Sequence, residues 1–593
     1  MVRFLVLLMW VIASAGFGVG CDDGSQTTVG GTGGSTGSPD PGVPGAVFDV
    51  AEFDTTPGGI FRVLGSTGSG GLGAPVAAGG GDADGDGFAD LALASFLASP
   101  FDRDRAGEVY LAFGNGTTAG EVDTAGLSAA VMKIAGAGPQ ETLGNEVWMD
   151  DVTGDGIADL LVCRQNFQPN DTRLGAGALT IIAGGPELRE QAESLSYVDL
   201  ASPPAALTIT TLVGANALDR LGIWVRTADV TGDGILDVIV GADQEDERGT
   251  NSGAVYVIRG GPHLAQTQTI DLANFGTTSV AGDLARILPP EGADRYHLGA
   301  TCDGADLDGN GRAEVLVSAA FNRSGGAVDP FGAPGAAEAS GGTERGTLFI
   351  LWDDNFSANP WPDGFTIGVD SAPGDTSTIS GSSLHRSFGE ELNGGLDFDA
   401  DGTADLFVGD LVGDLAPDNR PQGGVGHLFF DASSLRGRTF DMGNLPEDLV
   451  VTTILGSAPG VLSSDTSVIG DFDGDGIGDV ATGSPKSNPA GRTIAGTIDV
   501  VFGSPDGWPP VIDLRSPGEV EEVRIVTIYG AKGTVGGDQG DMICYSAAGG
   551  DIDGDGLDDI VTNEMLGNGS DPAAIDVGNL VVISGAHLAA ATE

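Results

Sequence analysis

Short apolar runs bounded by Gly or polar residues recur along the chain: LALAS from Leu91, VIVGA from Val238, EVLVS from Glu314 and LFVGD from Leu406. Runs this short with such boundaries predict β-strands rather than helices. A second set opens on Gly: GEVYLAFG at 107, GALTIIAGG at 177, GAVYVIRGG at 253, GTLFILWDD at 346, GHLFFDASS at 426, GTIDVVFGS at 496 and GNLVVISGA at 578. A third set follows, as in AAVMKIAGA at 129, ALTITTLVGA at 206 and VRIVTIYGA at 523. With an inner strand these predict an all-β chain of four-stranded antiparallel blades. GIFRVLGST at 59 has the fourth-strand form but precedes every other set. It is expected to complete the last blade and close the ring from the N-terminal side.

Between the inner strand and the first apolar run lies a nine-residue pattern, D-x-D-G-D-G-x-x-D. It begins at Asp82, Asp397, Asp471 and Asp551, with variants at Asp151, Asp229 and Asp306. Successive starts are 69, 78, 77, 91, 74 and 80 residues apart, a length that suits four short strands with their turns. Calcium takes oxygen ligands, and carboxylates at positions 1, 3, 5 and 9 with the carbonyl of position 7 supply them from one tight loop. The candidate ligands are Asp82, Asp84, Asp86, Phe88 and Asp90; Asp151, Thr153, Asp155, Ile157 and Asp159; Asp229, Thr231, Asp233, Ile235 and Asp237; Asp306, Asp308, Asn310, Arg312 and Glu314. The remaining loops offer Asp397, Asp399, Asp401, Thr403 and Asp405; Asp471, Asp473, Asp475, Ile477 and Asp479; Asp551, Asp553, Asp555, Leu557 and Asp559. Position 6 is Gly in all seven copies, which permits the sharp turn. An EF-hand begins alike but needs Glu at position 12 and a following helix. Here position 12 is Leu93, Val162, Val240, Val317, Val408, Thr482 or Thr562. One such turn is as readily a solvated loop; seven in near-constant phase point to calcium, with up to seven sites.

These motifs resemble the FG-GAP repeat family, the blades of the integrin α-subunit propeller and of many bacterial envelope proteins. The resemblance covers residues 46–593 and implies a calcium-loaded, seven-bladed β-propeller. Phe388-Gly389 matches the name-giving dipeptide, and Leu143-Gly144, Leu221-Gly222 and Leu298-Gly299 are degenerate counterparts. Blades six and seven show no clear equivalent.

Charge sets the partners. The 26 basic and 85 acidic residues give a net charge of −59, which repels nucleic acids and anionic membranes. Residues 1–20 read as a secretory signal. Gly18 to Cys21 resemble a bacterial lipobox, with Cys21 the lipidated residue, and residues 21–45 form a flexible Gly/Ser/Thr-rich tether. The chain is thus expected in the cell envelope, lipid-anchored, or outside the cell, as a monomer that touches membrane only through its anchor. Cys163, Cys302 and Cys544 are too few and too scattered for a disulfide framework.

The remaining chemistry is sparse. The five histidines, His263, His297, His385, His427 and His587, have no ligand spacing, and no nucleophile elbow, HExxH, Walker loop or paired-Cys motif occurs. No catalytic residue is assigned. A protein- or glycan-binding, adhesion-like module is expected; a propeller-based polysaccharide-degrading enzyme and a purely structural envelope protein are the alternatives. Strand alternation puts the acidic loops and the three-to-four connections on one face and the two-to-three loops on the other. The longest of the latter, Phe321 to Arg345, carries Phe321, Arg323, Phe331 and Arg345, types that anchor interfaces. Trp148 and Trp224 are expected to pack on inner strands, and Trp361 and Trp508 to be exposed.

Overall fold

The computed structural model describes residues 45–53, 60–66, 72–73, 76–77, 81–118, 120–320, 323–324, 343–571 and 573–591. Seven five-stranded sheets form the blades of an all-β propeller, numbered here by the acidic loop that each carries. In blade two, Val147–Asp150, Asp159–Cys163, Ala178–Ile182 and Ile209–Val213 pair antiparallel in that order. Leu161 lies opposite Trp148 on one side and Ile181 on the other. First strands of adjacent blades touch one another all the way round, so they line the axis.

Each blade has a fifth strand that the sequence reading lacks. Gln268–Asp271, from the connection between the third and fourth strands of blade three, pairs in parallel with the outer strand of blade two, Val213 opposite Asp271. Val198–Asp199, Phe365–Gly368, Thr439–Asp441 and Val511–Asp513 do the same on blades one, three, four and five. Ala46–Asp49 takes this place on blade six and Gly120–Asp123 on blade seven. Phe61–Leu64 pairs antiparallel with Asn579–Ile583 as the fourth strand of blade seven, Phe61 opposite Val582. A parallel strand requires a crossover. The three-to-four connection therefore traverses the preceding blade and returns, instead of staying on the acidic-loop face as expected.

The hydrophobic cores lie between blades. Val109 and Leu111 of blade one pack with Leu160 and Val162 of blade two, and the same sandwich repeats at every joint, ending with Val63, Val561 and Leu580 of blade seven against Leu93 and Tyr110 of blade one. Strands buried on both faces read as continuous apolar runs, which is why LALAS and its counterparts show no alternation. The Gly that opens each third strand is fixed by crowding. Gly107 has φ +85°, and a Cβ there would lie 2.2 Å from the Leu143 carbonyl; at Gly177, φ +81°, it would lie 2.3 Å from Leu221.

An Arg–Asp clasp fastens six of the seven borrowed strands. Arg173, in the two-to-three loop of blade two, holds Asp271 at 2.7 and 2.8 Å and the Gly214 carbonyl at 3.0 Å. Arg103 with Asp199, Arg420 with Asp513 and Arg492 with Asp49 repeat this bidentate arrangement. Arg248 with Asp370 and Arg345 with Asp441 are looser, at 3.1 and 3.6 Å. In blade seven, Ser570 donates to Asp123 at 2.5 Å instead.

Candidate metal centres

Every acidic loop joins the first and second strands of its blade. The position 1 carboxylate folds the turn around itself: Asp82 accepts the N–H groups of Gly85, Asp86 and Gly87 at 2.7, 3.1 and 2.8 Å. Position 5 accepts the N–H of position 7 in each copy, as Asp86 does from Phe88 at 3.0 Å. The position 9 carboxylate is buried and ties the loop to the exit of the third strand. Asp90 accepts Ala83 N–H at 2.9 Å and Gly114 N–H at 2.8 Å. Burial, opposed by these donors and reinforced by neighbouring carboxylates, pushes the position 9 carboxyls up, Asp90 to about 7 and Asp479 to about 8. A bound cation would act in the opposite direction.

Carboxylates converge in five loops. One oxygen from each member lies within 4.8 Å of the others in Asp82, Asp84 and Asp86; Asp306, Asp308 and Glu314; Asp397, Asp399 and Asp405; Asp471, Asp473 and Asp479; and Asp551, Asp553 and Asp559. These groups could hold metal ions. Loops four to seven thus gather positions 1, 3 and 9, and the position 5 carboxylates Asp401, Asp475 and Asp555 stand outside these groups. Loops two and three, with Thr153 and Thr231 at position 3, form no three-carboxylate group among the described residues.

Donor chemistry fits a hard cation. Asp308, Asp473 and Asp553 each keep one buried carboxylate oxygen without a hydrogen-bond partner, and Thr231 Oγ1 is likewise unpartnered. All four are position 3 atoms. Loop one differs, because Arg189 from the following blade pairs with both Asp84 and Asp86. Of the position 7 candidates the side chains are placed: Ile157 and Ile235 lie over Gly85 and Gly154 of the preceding loops, and Phe88 is exposed. Adjacent loops are joined directly, with Ala158 N–H donating to Asp82 O at 3.0 Å and Asp558 N–H to Asp471 O at 3.0 Å.

On the opposite face, two-to-three loops are zipped to the linkers that enter the next blade. Gln140, Thr142 and Leu143 donate to the carbonyls of Asp104, Arg105 and Ala106, and Arg295, His297 and Leu298 to those of Thr250, Asn251 and Ser252. Phe101, Leu174, Leu218, Leu384, Val535 and Ile575 are exposed there. Of the insert, Arg323–Ser324 pairs with Thr343–Glu344, while Phe321 and Phe331 lie outside the described residues, as do Cys21 and the tether up to residue 44.

The exposure expected of Trp361 is overturned, and that of Trp508 is met only in part. Trp361 is buried, packed with Phe356, Phe365 and the Arg259 guanidinium, and Trp508 is half-buried against Phe398 and Phe430. The Pro-rich turn places Trp361 under the surface and leaves Trp508 partly exposed at it. Cys163, Cys302 and Cys544 are free and buried. No helix among the described residues is long and apolar enough to cross a membrane.

Seven blades, each with an acidic loop between its first two strands, define a class of propeller. Residues 221–258, from Leu221-Gly222 through loop three to the third strand, match the FG-GAP repeat family model, so the propeller carries an FG-GAP repeat in its third blade. Among solved structures, the V. cholerae biofilm matrix protein Bap1 is 11% identical, with 92% of this chain and 91% of that one covered and a TM-score of 0.21. That overlay is too loose to carry an argument. A search of curated proteins finds no match.

Proposed function

We propose that the protein is an exported, calcium-binding propeller that displays a protein- or glycan-binding face. The observation that carries the calcium reading is the unpartnered position 3 oxygen of Asp308, Asp473 and Asp553, each in a three-carboxylate group. An orphaned acceptor in an acidic group is expensive unless a cation completes it. Calcium would be held by the carboxylates of positions 1, 3 and 9, and it would supply charge neutralisation, not chemistry. The protein's own backbone supplies the rest, since the N–H groups around position 1 fix the turn before any ion arrives.

Recognition is assigned to the opposite face. Support comes from its zipped loops, which make a rigid platform, and from the exposed apolar side chains Phe101, Leu174, Leu218, Leu384, Val535 and Ile575. Rigid scaffolds with variable loops are where binding sites usually reside. Lipidation at Cys21 would hold this platform at a membrane surface.

Calcium removal tests the first part. Extracellular sites of this kind bind at about 10⁻⁴ to 10⁻³ M, so chelation should lower the melting temperature and added calcium should restore it. A melting curve identical with and without chelator would sink the calcium reading. A glycan and protein array probed with the wild type and a Leu174→Ser/Leu218→Ser variant tests the second, the variant losing the signal. Cys21→Ala should release the protein from membranes without altering its melting.

A further inference from the structure

We propose that three acidic loops owe part of their cation affinity to a side chain from outside the loop: Arg436 for loop four, Arg524 for loop six and Thr118 for loop seven. This rests on the calcium reading of the loops.

In all three, the position 3 carboxylate is divided between two tasks. Asp308 receives Arg436 Nη1 on Oδ2 at 3.0 Å, Asp473 receives Arg524 Nη2 on Oδ2 at 2.6 Å, and Asp553 receives Thr118 Oγ1 on Oδ2 at 3.0 Å. The other oxygen, Oδ1, is in each case the buried, unpartnered one. A hydrogen bond at one oxygen restricts the rotation of the carboxylate and leaves its second, buried oxygen free for an ion in the group shared with positions 1 and 9. The holders are themselves braced. Arg436 also bonds Asp375 at 2.9 Å and lies over the Trp352 ring, and Arg524 lies over Phe502 and donates to the Leu588 carbonyl at 3.1 Å. Thr118 is buried.

Their origin matters as well. Arg436 belongs to the three-to-four connection of blade five and acts on the loop of blade four. Thr118 belongs to that of blade one and acts on the loop of blade seven. In these two sites the cation affinity depends on the neighbouring blade being docked, and by linkage the bound ion strengthens that joint.

The test uses the full chain stripped of metal by a chelator, then titrated with calcium chloride by calorimetry and melted with and without calcium. Thr118→Val removes only the hydroxyl. It should weaken one site about tenfold, at the low end for outer-shell partners of metal ligands, and shrink the calcium-dependent rise in melting temperature. The melting temperature of the calcium-free protein should stay unchanged. Combined with Asp553→Asn it should add nothing further. Arg436→Met should weaken a different site. A wild-type isotherm for Thr118→Val, or an equal loss of melting temperature with and without calcium, makes Thr118 merely structural and overturns the proposal. If the wild type takes up no calcium at all, the calcium reading itself has failed and the proposal falls with it.

Discussion

Replacing Arg420 with Met should unfasten the joint between blades five and six. The Arg420 side chain is 3% exposed, and its guanidinium reaches Gly456 O at 2.7 Å, Asp513 at 2.7 and 2.6 Å and Asp418 at 2.6 Å. Charge-assisted bonds of this kind contribute about 1.5 to 3 kcal/mol each when fully desolvated. Asp513 and Asp418 are 40% and 37% exposed, so water replaces much of what they lose and their share falls to about 1 kcal/mol or less each. The Gly456 carbonyl and the packing of the arginine stem add about 1 kcal/mol. The expected loss is about 2 to 3 kcal/mol in urea denaturation at saturating calcium. A double-mutant cycle with Asp513→Asn should return a coupling of about 1 kcal/mol, above the few tenths by which independent sites deviate from additivity. Strict additivity of the two substitutions would refute the clasp as an interblade fastener.

Three further outcomes are expected. Ala400 stands at position 4 of loop five with φ +58°, where the other loops have Gly. Ala400→Gly should stabilise by about 0.5 kcal/mol, left-handed strain of about 1 kcal/mol outweighing the entropy that glycine adds to the unfolded chain; destabilisation in urea would contradict this. Burial pushes His385 down to about 4 and His427 well below its ordinary value, their rings 5.0 Å apart. Between pH 6.5 and 4 these two imidazoles bind protons in the unfolded chain but not in the folded one, so their own contribution to stability falls as pH falls, by up to about 1.4 kcal/mol per pH unit each, while the raised position 9 carboxyls act in the opposite direction. His427→Gln should flatten this fall relative to wild type, and parallel curves would show the imidazole pair to be irrelevant. Deleting residues 45–66 should bare the outer edges of Ile525–Tyr529 and Asn579–Ile583 and produce aggregation, measured by light scattering; a monodisperse, equally stable product would refute the role of these strands.

Loops and third strands were legible because each is dictated locally: Asp and Gly at fixed offsets make the turn, and a Gly under a neighbouring carbonyl opens the strand. The borrowed strands were not. Val198–Asp199 and Val511–Asp513 are too short for periodicity to register, and their conformation comes from pairing with another blade. A signal did exist, since an apolar residue precedes Asp in FDV at 48, VDT at 122, VDL at 198, IDL at 270, GVD at 368, FDM at 440 and IDL at 512. The missing Phe-Gly counterparts of blades six and seven are Ser463-Ser464 and Ile543-Cys544. The motif constrains the backbone rather than the side chain: Gly144, Gly222, Gly299 and Gly389 have φ between +81° and +87°, and Ser464 and Cys544 adopt +61° and +63°. Within the loops, positions 1, 3 and 9 could be read from sequence, whereas Arg436, Arg524 and Thr118 could not, because nothing in sequence distance brings residue 118 to residue 553.

The borrowed strands put the repeating segment of chain out of step with the blade. A segment running from one acidic loop to the next holds most of one sheet and the outermost strand of the sheet before it, together with the arginine that grips the strand lent by its successor. In blades one to five both halves of the joint are thus encoded in consecutive segments of the chain. Excising or duplicating such a segment would delete or add one sheet and leave each surviving strand with a lender and each arginine with an aspartate. Circumference can then change in whole steps without redesign of any contact, so long as the closing geometry tolerates the new number. By the same logic, an excision that started and stopped at blade boundaries would strand an outer edge on one side and an ungripped arginine on the other.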